Sequence, residues 1–218
     1  MRLTWYGHSA FLLEARDGTR IIIDPYRSGA FSNTLRYAPI GDTADAVVAS
    51  HAHDDHGATD TIPGHPLCAI HPGSLNIGPF TITGLPTFHD TESGRKRGDN
   101  TIIVVDVEGL RVAHLGDLGH ELDAAGRAHV SMVHVLLIPV GGFYTIDATA
   151  AARTVQALQP QVVIPMHYKT DLVDMPIAPV EDFLRTQSRV MRIAGSTLEI
   201  TLETLPAETT TMVLEHAR

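Results

Sequence analysis

The chain has 218 residues, 44% of them hydrophobic, enough to bury a sizeable core within one domain spanning residues 1–218. A formal net charge of −9 argues against an extended basic groove, so nucleic acid is not an expected partner, and no apolar run reaches the about 20 residues of a membrane span. Cys68 is the only cysteine, which excludes an intrachain disulfide and a thiolate metal cluster; with no signal-like core behind Met1-Arg2-Leu3-Thr4-Trp5, a cytoplasmic setting is expected.

The opening reads as a hairpin at the edge of a sheet. Leu3 to Glu14 is largely apolar, Asp17-Gly18 supplies the turn, and Arg20 to Asp24 is a β-branched run closed by Pro25. His8 and Asp24 each sit where a strand gives way to a turn. For both, a local structural role and a supporting role behind a metal ligand stand open, because ligating imidazoles need an outer acceptor. Tyr26 to Asp42, with scattered Gly, Pro, Ser and Asn, reads as a long loop in which Phe31, Arg36 and Tyr37 are candidate substrate contacts.

Asp45 to Ser50 is a short buried strand, and it delivers His51-Ala52-His53-Asp54-Asp55-His56-Gly57. Three imidazoles this close would repel if protonated, and buried neutral they leave ring nitrogens in need of partners; a divalent cation answers both problems. His51 and His53, two apart in extended backbone, point the same way and can grip one ion. Asp55 and His56 follow a turn and can present an oxygen and a nitrogen to a second, while Asp54 faces solvent. A histidine-rich surface loop is the commoner explanation for any single member, but ligand types, spacing and position after a strand agree here.

Short strands follow at Pro66 to His71, Ser74 to Ile77 and Phe80 to Gly84, where a second sheet is expected to begin. His89, at a strand end, can supply a third nitrogen to the ion held by His51 and His53; His71, locked against Pro72, competes for that place. Arg95, Lys96 and Arg97 form a local basic group in an acidic protein, either a solvated turn or a seat for a substrate anion. After the strand Thr101 to Val107, Arg111 to Asp117 is a strand ending in a carboxylate that two ions can share. His120 is a candidate for a supporting or substrate-binding role, and His114 is expected to be packed within its strand.

Leu118 to Ala128 reads as helical or irregular and His134 to Val140 as a buried strand; Asp147 opens a helix with Ala148, Ala151, Ala152, Val155 and Leu158 along one stripe. Gln161 to Met166 is the next strand, delivering His167, with Tyr168 and Lys169 beyond it as candidates to hold a substrate anion. Pro179 to Gln187 reads as a last helix, and Val190 to Ala194, Leu198 to Glu203 and Thr210 to Glu215 as closing strands.

His51-x-His53-x-Asp55-His56 resembles the H-x-H-x-D-H signature of the metallo-beta-lactamase fold superfamily, which also carries signatures similar to Gly7-His8-Ser9, Ile23-Asp24-Pro25 and Gly116-Asp117. Pro139-Val140-Gly141-Gly142 with Thr145-x-Asp147 resembles the branch related to ascorbate-6-phosphate lactonase. The resemblance implies an α/β fold, a four-layer αββα sandwich of two mixed sheets flanked by helices, as the element order also suggests. It also implies that His167 is the last metal-binding histidine. One ion would then take His51, His53 and His89, the other Asp55, His56 and His167, with Asp117 between them. Zinc is the expected metal, with manganese, iron or nickel accepting similar ligands. The implied function is hydrolysis of an ester, lactone, amide or phosphodiester bond of a small, anionic substrate by a metal-activated hydroxide, with Asp55 also handling a proton. The alternatives are an iron-dependent redox enzyme on the same fold and a non-catalytic metal-binding module.

Overall fold

In the computed structural model, which describes residues 1–218, two mixed β-sheets face each other across a shared apolar core. The first sheet holds β1 (Arg2–Gly7), β2 (Ala10–Glu14), β3 (Arg20–Ile23), β4 (Ala46–Ala49), β5 (Leu67–Ile70) and β13 (Thr197–Glu199), in the order β13-β1-β2-β3-β4-β5. The second holds β6 (Ser74–Ile77), β7 (Phe80–Phe88), β8 (Asp99–Val107), β9 (Leu110–His114), β10 (Val135–Pro139), β11 (Val162–Met166), β12 (Val190–Arg192) and β14 (Thr210–Val213), in the order β12-β14-β11-β10-β9-β8-β7-β6. Four α-helical segments accompany the sheets, α1 (Ala30–Asn33), α2 (Ala124–His129), α3 (Ala148–Leu158) and α4 (Val180–Leu184), with single 3-10 turns at Thr59–Thr61 and Leu202–Thr204.

Period-two alternation assigns the faces of the first sheet. Leu3, Trp5, Phe11, Leu13, Ile21, Ile23, Ala46 and Val48 point into the core shared with the second sheet, and Tyr6, Leu12, Ile22 and Val47 point to the opposite face. That opposite face is covered by irregular chain, with Tyr26, Leu35, Tyr37 and Ile40 from one loop and Val173, Met175 and Ile177 from another. Helical cover belongs to the second sheet, where β10 and β11 are buried along their whole length and α3 buries Ala151, Val155 and Leu158 in the same core. Asp147 starts α3 by accepting the Ala150 N–H at 2.8 Å, and Gln159 ends it in the left-handed region.

Four expectations change. The opening strands are not an edge: β13 pairs with β1, so β1, β2 and β3 are interior to their sheet. Leu3 to Glu14 is itself two strands, broken at His8-Ser9, because Gly7 and His8 both take positive φ and turn the chain back on itself. The strand near Pro66 to His71 belongs to the first sheet, beside β4, and the second sheet begins only at β6. The expected helix near Pro179 to Gln187 is shorter, Val180–Leu184.

The strand directions position everything that follows. β3, β4 and β5 run parallel, as do β9, β10 and β11, and β7 points the same way as β9 because both are antiparallel to β8. The carboxyl ends of β3 and β4, and those of β7, β9 and β11, therefore each gather on one side of their sheet, the place where open α/β sheets carry ligands.

Ile103 lies mid-strand in β8 with no exposed surface. Ile103→Ala is expected to destabilise the protein by about 2–5 kcal/mol, read as a lower urea midpoint at unchanged slope. Met132→Ala, at a residue 80% exposed, should stay within about 0.5 kcal/mol of the parent.

Candidate metal centre

β4 is a fully buried apolar strand, and the chain leaves it through Ser50 into a tight turn in which the His56 and Gly57 N–H groups both donate to the His53 carbonyl. This folds His51 and His56 inward, both buried, with Asp55 beside them, and leaves Asp54 outside, paired with Arg27 at 3.0 Å. Arg27 also donates to Asp60 at 2.8 Å and, through its backbone N–H, to the Asp54 carbonyl, so the long loop after β3 is tied to this turn.

His89 follows β7, Asp117 follows β9, and His167 follows β11; all three are buried. Asp117 stands between two histidine groups. Its Oδ2 lies 2.9 Å from His89 Nε2 and 3.9 Å from His51 Nε2, while its Oδ1 lies 3.0 Å from His56 Nε2 and 3.4 Å from His167 Nε2. Ligand atoms of His51, His53 and His89 lie within 4.8 Å of one another, and so do those of His8, Asp55, His56 and His167. His53 is the exposed member.

Behind these groups Asp24 acts as a common support. Its Oδ1 accepts the Ser50 N–H and its Oδ2 accepts the Ser50 hydroxyl and His56 Nδ1–H, each at 2.6 Å. With its proton given to Asp24, the Ser50 hydroxyl accepts from His51 Nδ1 at 2.9 Å. One carboxylate thereby holds a proton on Nδ1 of both His51 and His56 and turns both Nε2 atoms toward Asp117. Asp24, His8 and His167 all have φ near 50°, a strained setting for residues other than glycine, and all three end strands at the centre.

The buried atoms test whether a cation fits. His51 Nε2, His56 Nε2, Asp55 Oδ1 and Asp117 Oδ1 have no hydrogen-bond partner although they crowd together. Orphaned polar atoms are costly, and nitrogen and oxygen donors at imidazole and carboxylate suit zinc and its neighbours. The outer nitrogens of His8, His89 and His167 also lack partners, so the support given by Asp24 reaches only His51 and His56.

Electrostatics agree with that chemistry. Burial pushes His51 down to about 3 and His8 down to about 4, so both rings stay neutral, the state in which imidazole binds a cation. Burial also opposes charge on His56, but the carboxylates of Asp117, Asp55 and Asp24 outweigh it and raise its pKa well above the ordinary value. Burial would raise Asp117, yet His167, His56 and His89 hold its carboxyl far below the usual range. Asp55 is likewise held down, against its burial, by His56 and His8. Protons on histidine thus balance the buried carboxylates, a role that a divalent ion held by these residues would take over.

The remaining candidates separate. His8 Nε2 is 3.3 Å from Asp55 Oδ2 and its ring lies 4.2 Å from that of His167, inside the centre. His71 is bonded to Thr101 at 2.9 Å and does not join the cluster. His114 is packed as expected, donating to the Ser9 carbonyl, and its Nδ1 also accepts the Gly116 N–H. His120 accepts the Phe88 N–H at 3.3 Å and props the end of β7 outside the cleft. Lys169 donates to Asp174 and to the Met175 carbonyl without reaching the cleft, and Tyr168 is buried against Trp5. The cleft over the centre, about 510 Å³, is lined by His53, Asp55, His89 and Asp117 together with Phe31, Lys96, Arg97 and Tyr144. Of the loop residues, Phe31 reaches it, whereas Arg36 bonds the Asp171 carbonyl and Tyr37 is buried. Arg95 stays outside.

Sequence reasoning missed two residues. Asn100, fully enclosed in β8, accepts the Asp117 N–H at 2.9 Å and donates to the Leu115 carbonyl and Thr87, fixing the turn that carries Asp117. The only signal was an asparagine in an apolar strand. Gly119 packs directly on the His89 backbone: a Cβ there would stand 2.3 Å from the His89 carbonyl carbon and from the Asp90 nitrogen.

Two facing mixed sheets with few helices, and a histidine and aspartate cluster at their strand ends, define the metallo-beta-lactamase fold. The model of the beta-lactamase superfamily domain matches residues 2–167. A UPF0173 metal-dependent hydrolase of Carboxydothermus hydrogenoformans is 32% identical, over 78% of this chain and 85% of the relative. A solved protein of Thermotoga maritima, proposed to be a zinc-dependent hydrolase of the metallo-beta-lactamase superfamily, is 35% identical with a TM-score of 0.80, covering 99% of this chain and 98% of that one. A metallo hydrolase of Ignicoccus hospitalis is 27% identical with a TM-score of 0.64, covering 92% and 99%. The chain belongs to the metallo-beta-lactamase superfamily, among the UPF0173 metal-dependent hydrolases.

Gly119→Ala is expected to displace the backbone of His89 and lower the metal content of the purified protein while its circular dichroism keeps its strand signature. Gly73→Ala, where an added Cβ meets nothing within 4 Å, should leave metal content unchanged.

Proposed function

We propose that this protein hydrolyses an ester, lactone, amide or phosphodiester bond of a small anionic molecule with two divalent ions, zinc foremost and manganese, iron or nickel acceptable to the same donors. The observation that carries this reading is the division of Asp117, with one oxygen toward His51 and His89 and the other toward His56 and His167. His51, His53 and His89 would hold one ion and Asp55, His56 and His167 the other, with Asp117 shared. Asp24 and His8 would stand behind them as supports. Ions bound there supply Lewis acidity and water acidified toward neutral pH.

The chain's own groups supply the rest. Asp55 lines the cleft with its Oδ1 free of partners while His8 stands at its Oδ2. Held ionised, it can accept a proton from attacking water and return it to the leaving group. A cleft of about 510 Å³ suits a small molecule. Lactones enter the class through the resemblance of the Pro139 to Asp147 segment. A cytoplasmic setting rests on the single free, exposed Cys68; no helix is long and apolar enough to cross a membrane.

Elemental analysis of protein purified without chelator or added metal is expected to find about two ions per chain, and a chelator should abolish turnover of a responsive ester, lactone, amide or phosphodiester and lower the thermal midpoint. One tightly held ion would overturn the dinuclear reading, and iron with visible absorption would replace hydrolysis by redox chemistry. His89→Ala and Asp117→Ala should each lose metal; retention of both ions by either variant removes that residue from the ligand set.

A further inference from the structure

Resting on the hydrolase reading above, we propose that Arg97 is the seat for an oxyanion on the substrate, a carboxylate or phosphate away from the bond that breaks, and that Asp90 positions it. Asp90 follows His89 and is 3% exposed. Its carboxylate accepts four backbone N–H groups: Oδ1 from Glu92 at 2.7 Å and Gly94 at 3.0 Å, Oδ2 from Lys96 at 2.9 Å and Arg97 at 2.8 Å. Gly98 N–H closes the loop on the Gly94 carbonyl, and His89 N–H donates to the Gly98 carbonyl. One buried acid thus winds the whole loop into a fixed knot with His89 at its base and Arg97 on its far side.

Arg97 is held from across the cleft as well. One guanidinium nitrogen donates to the Phe143 carbonyl at 2.8 Å, and the group lies 5.5 Å from the centre of the Tyr144 ring. Guanidinium offers five donors in a planar fork, and only one is engaged. Charge pairing singles this residue out. Lys96, the other cation lining the cleft, is paired with Glu92, which is also the carboxylate nearest Arg95. Asp174, the acid on the wall beside Met175, is matched by Lys169 at 3.4 Å. Arg97 has no carboxylate within 4.0 Å, in a chain whose net charge is −9. A rigid, unneutralised guanidinium at the rim of a cleft is a receptor for a planar or tetrahedral oxyanion. A mere brace between the two loops would need no charge.

The test is calorimetric titration of the metal-loaded protein with glutarate and, separately, with methyl phosphate, which distinguishes a carboxylate from a phosphate seat. At least one is expected to bind. Arg97→Leu should weaken that anion by about tenfold or more, with Arg97→Lys between the two. Asp90→Ala should weaken it equally, and the double variant should lose nothing further, as for residues acting as one unit. If Asp90→Ala sheds metal through its neighbour His89, Arg97→Leu carries the test and Asp90→Asn, keeping one accepting oxygen, reads the positioning role by partial recovery. No binding of either anion, or equal dissociation constants for parent and Arg97→Leu at equal metal content, overturns the seat; additive losses overturn the part given to Asp90. Metal content and ester turnover of the parent are followed in parallel. Their failure removes the hydrolase reading and leaves the titration standing, whereas intact turnover with titrations indifferent to Arg97 removes the seat alone.

Discussion

A single buried carboxylate, Asp24, is what the rest of the centre hangs from. Burying a charge is costly unless every lone pair is answered, and this one is answered three times, by the Ser50 N–H, the Ser50 hydroxyl and His56. Its own N–H continues the pairing of β3 with β4 by donating to the Val48 carbonyl. The same residue therefore sets the register between two strands, shapes the exit of β4, and holds a proton on Nδ1 of both His51 and His56. Metal affinity and local folding are one problem at this point.

Around that anchor the labour is divided between strands and loops. Every group facing Asp117 comes from the end of a strand or the turn just after it, so the converging nitrogens and oxygens inherit the rigidity of two packed sheets. The cleft walls come instead from irregular chain: Phe31 from the left-handed turn of α1, Arg97 from the loop wound around Asp90, and Tyr144 from the segment after β10. Rigid reacting centres under variable loops are how one fold serves many substrates.

Legibility in the sequence followed distance along the chain. His51, His53, Asp55 and His56 could be read together because a strand and a tight turn are local, and the structure does bring them to one place. His89, Asp117 and His167 needed the expectation that strand ends gather on one side, which the parallel ladders produce. Local reading failed where a remote partner decides: nothing near Leu3 tells that Leu198 lies beside it, so β1 passed for an edge. It failed also where one side chain organises backbone amides, as with Asn100 under Asp117 and Asp90 within its loop. A buried asparagine or aspartate looks in sequence like any turn residue, since the hydrogen bonds that give it meaning are contributed by other segments.

The pairing of Leu3 with Leu198 also orders events in time. Contacts that span so much chain form late and slowly, because loop closure must precede any reward from pairing. The run His51 to His56, by contrast, is assembled as soon as its own short turn forms. A chain still searching for β13 already carries two imidazoles that can chelate, and an ion captured then binds the unfolded ensemble as well as the native one, which diminishes the stability that metal lends to folding. A site so local in sequence therefore returns less of its binding energy to the fold than one whose donors meet only in the native state.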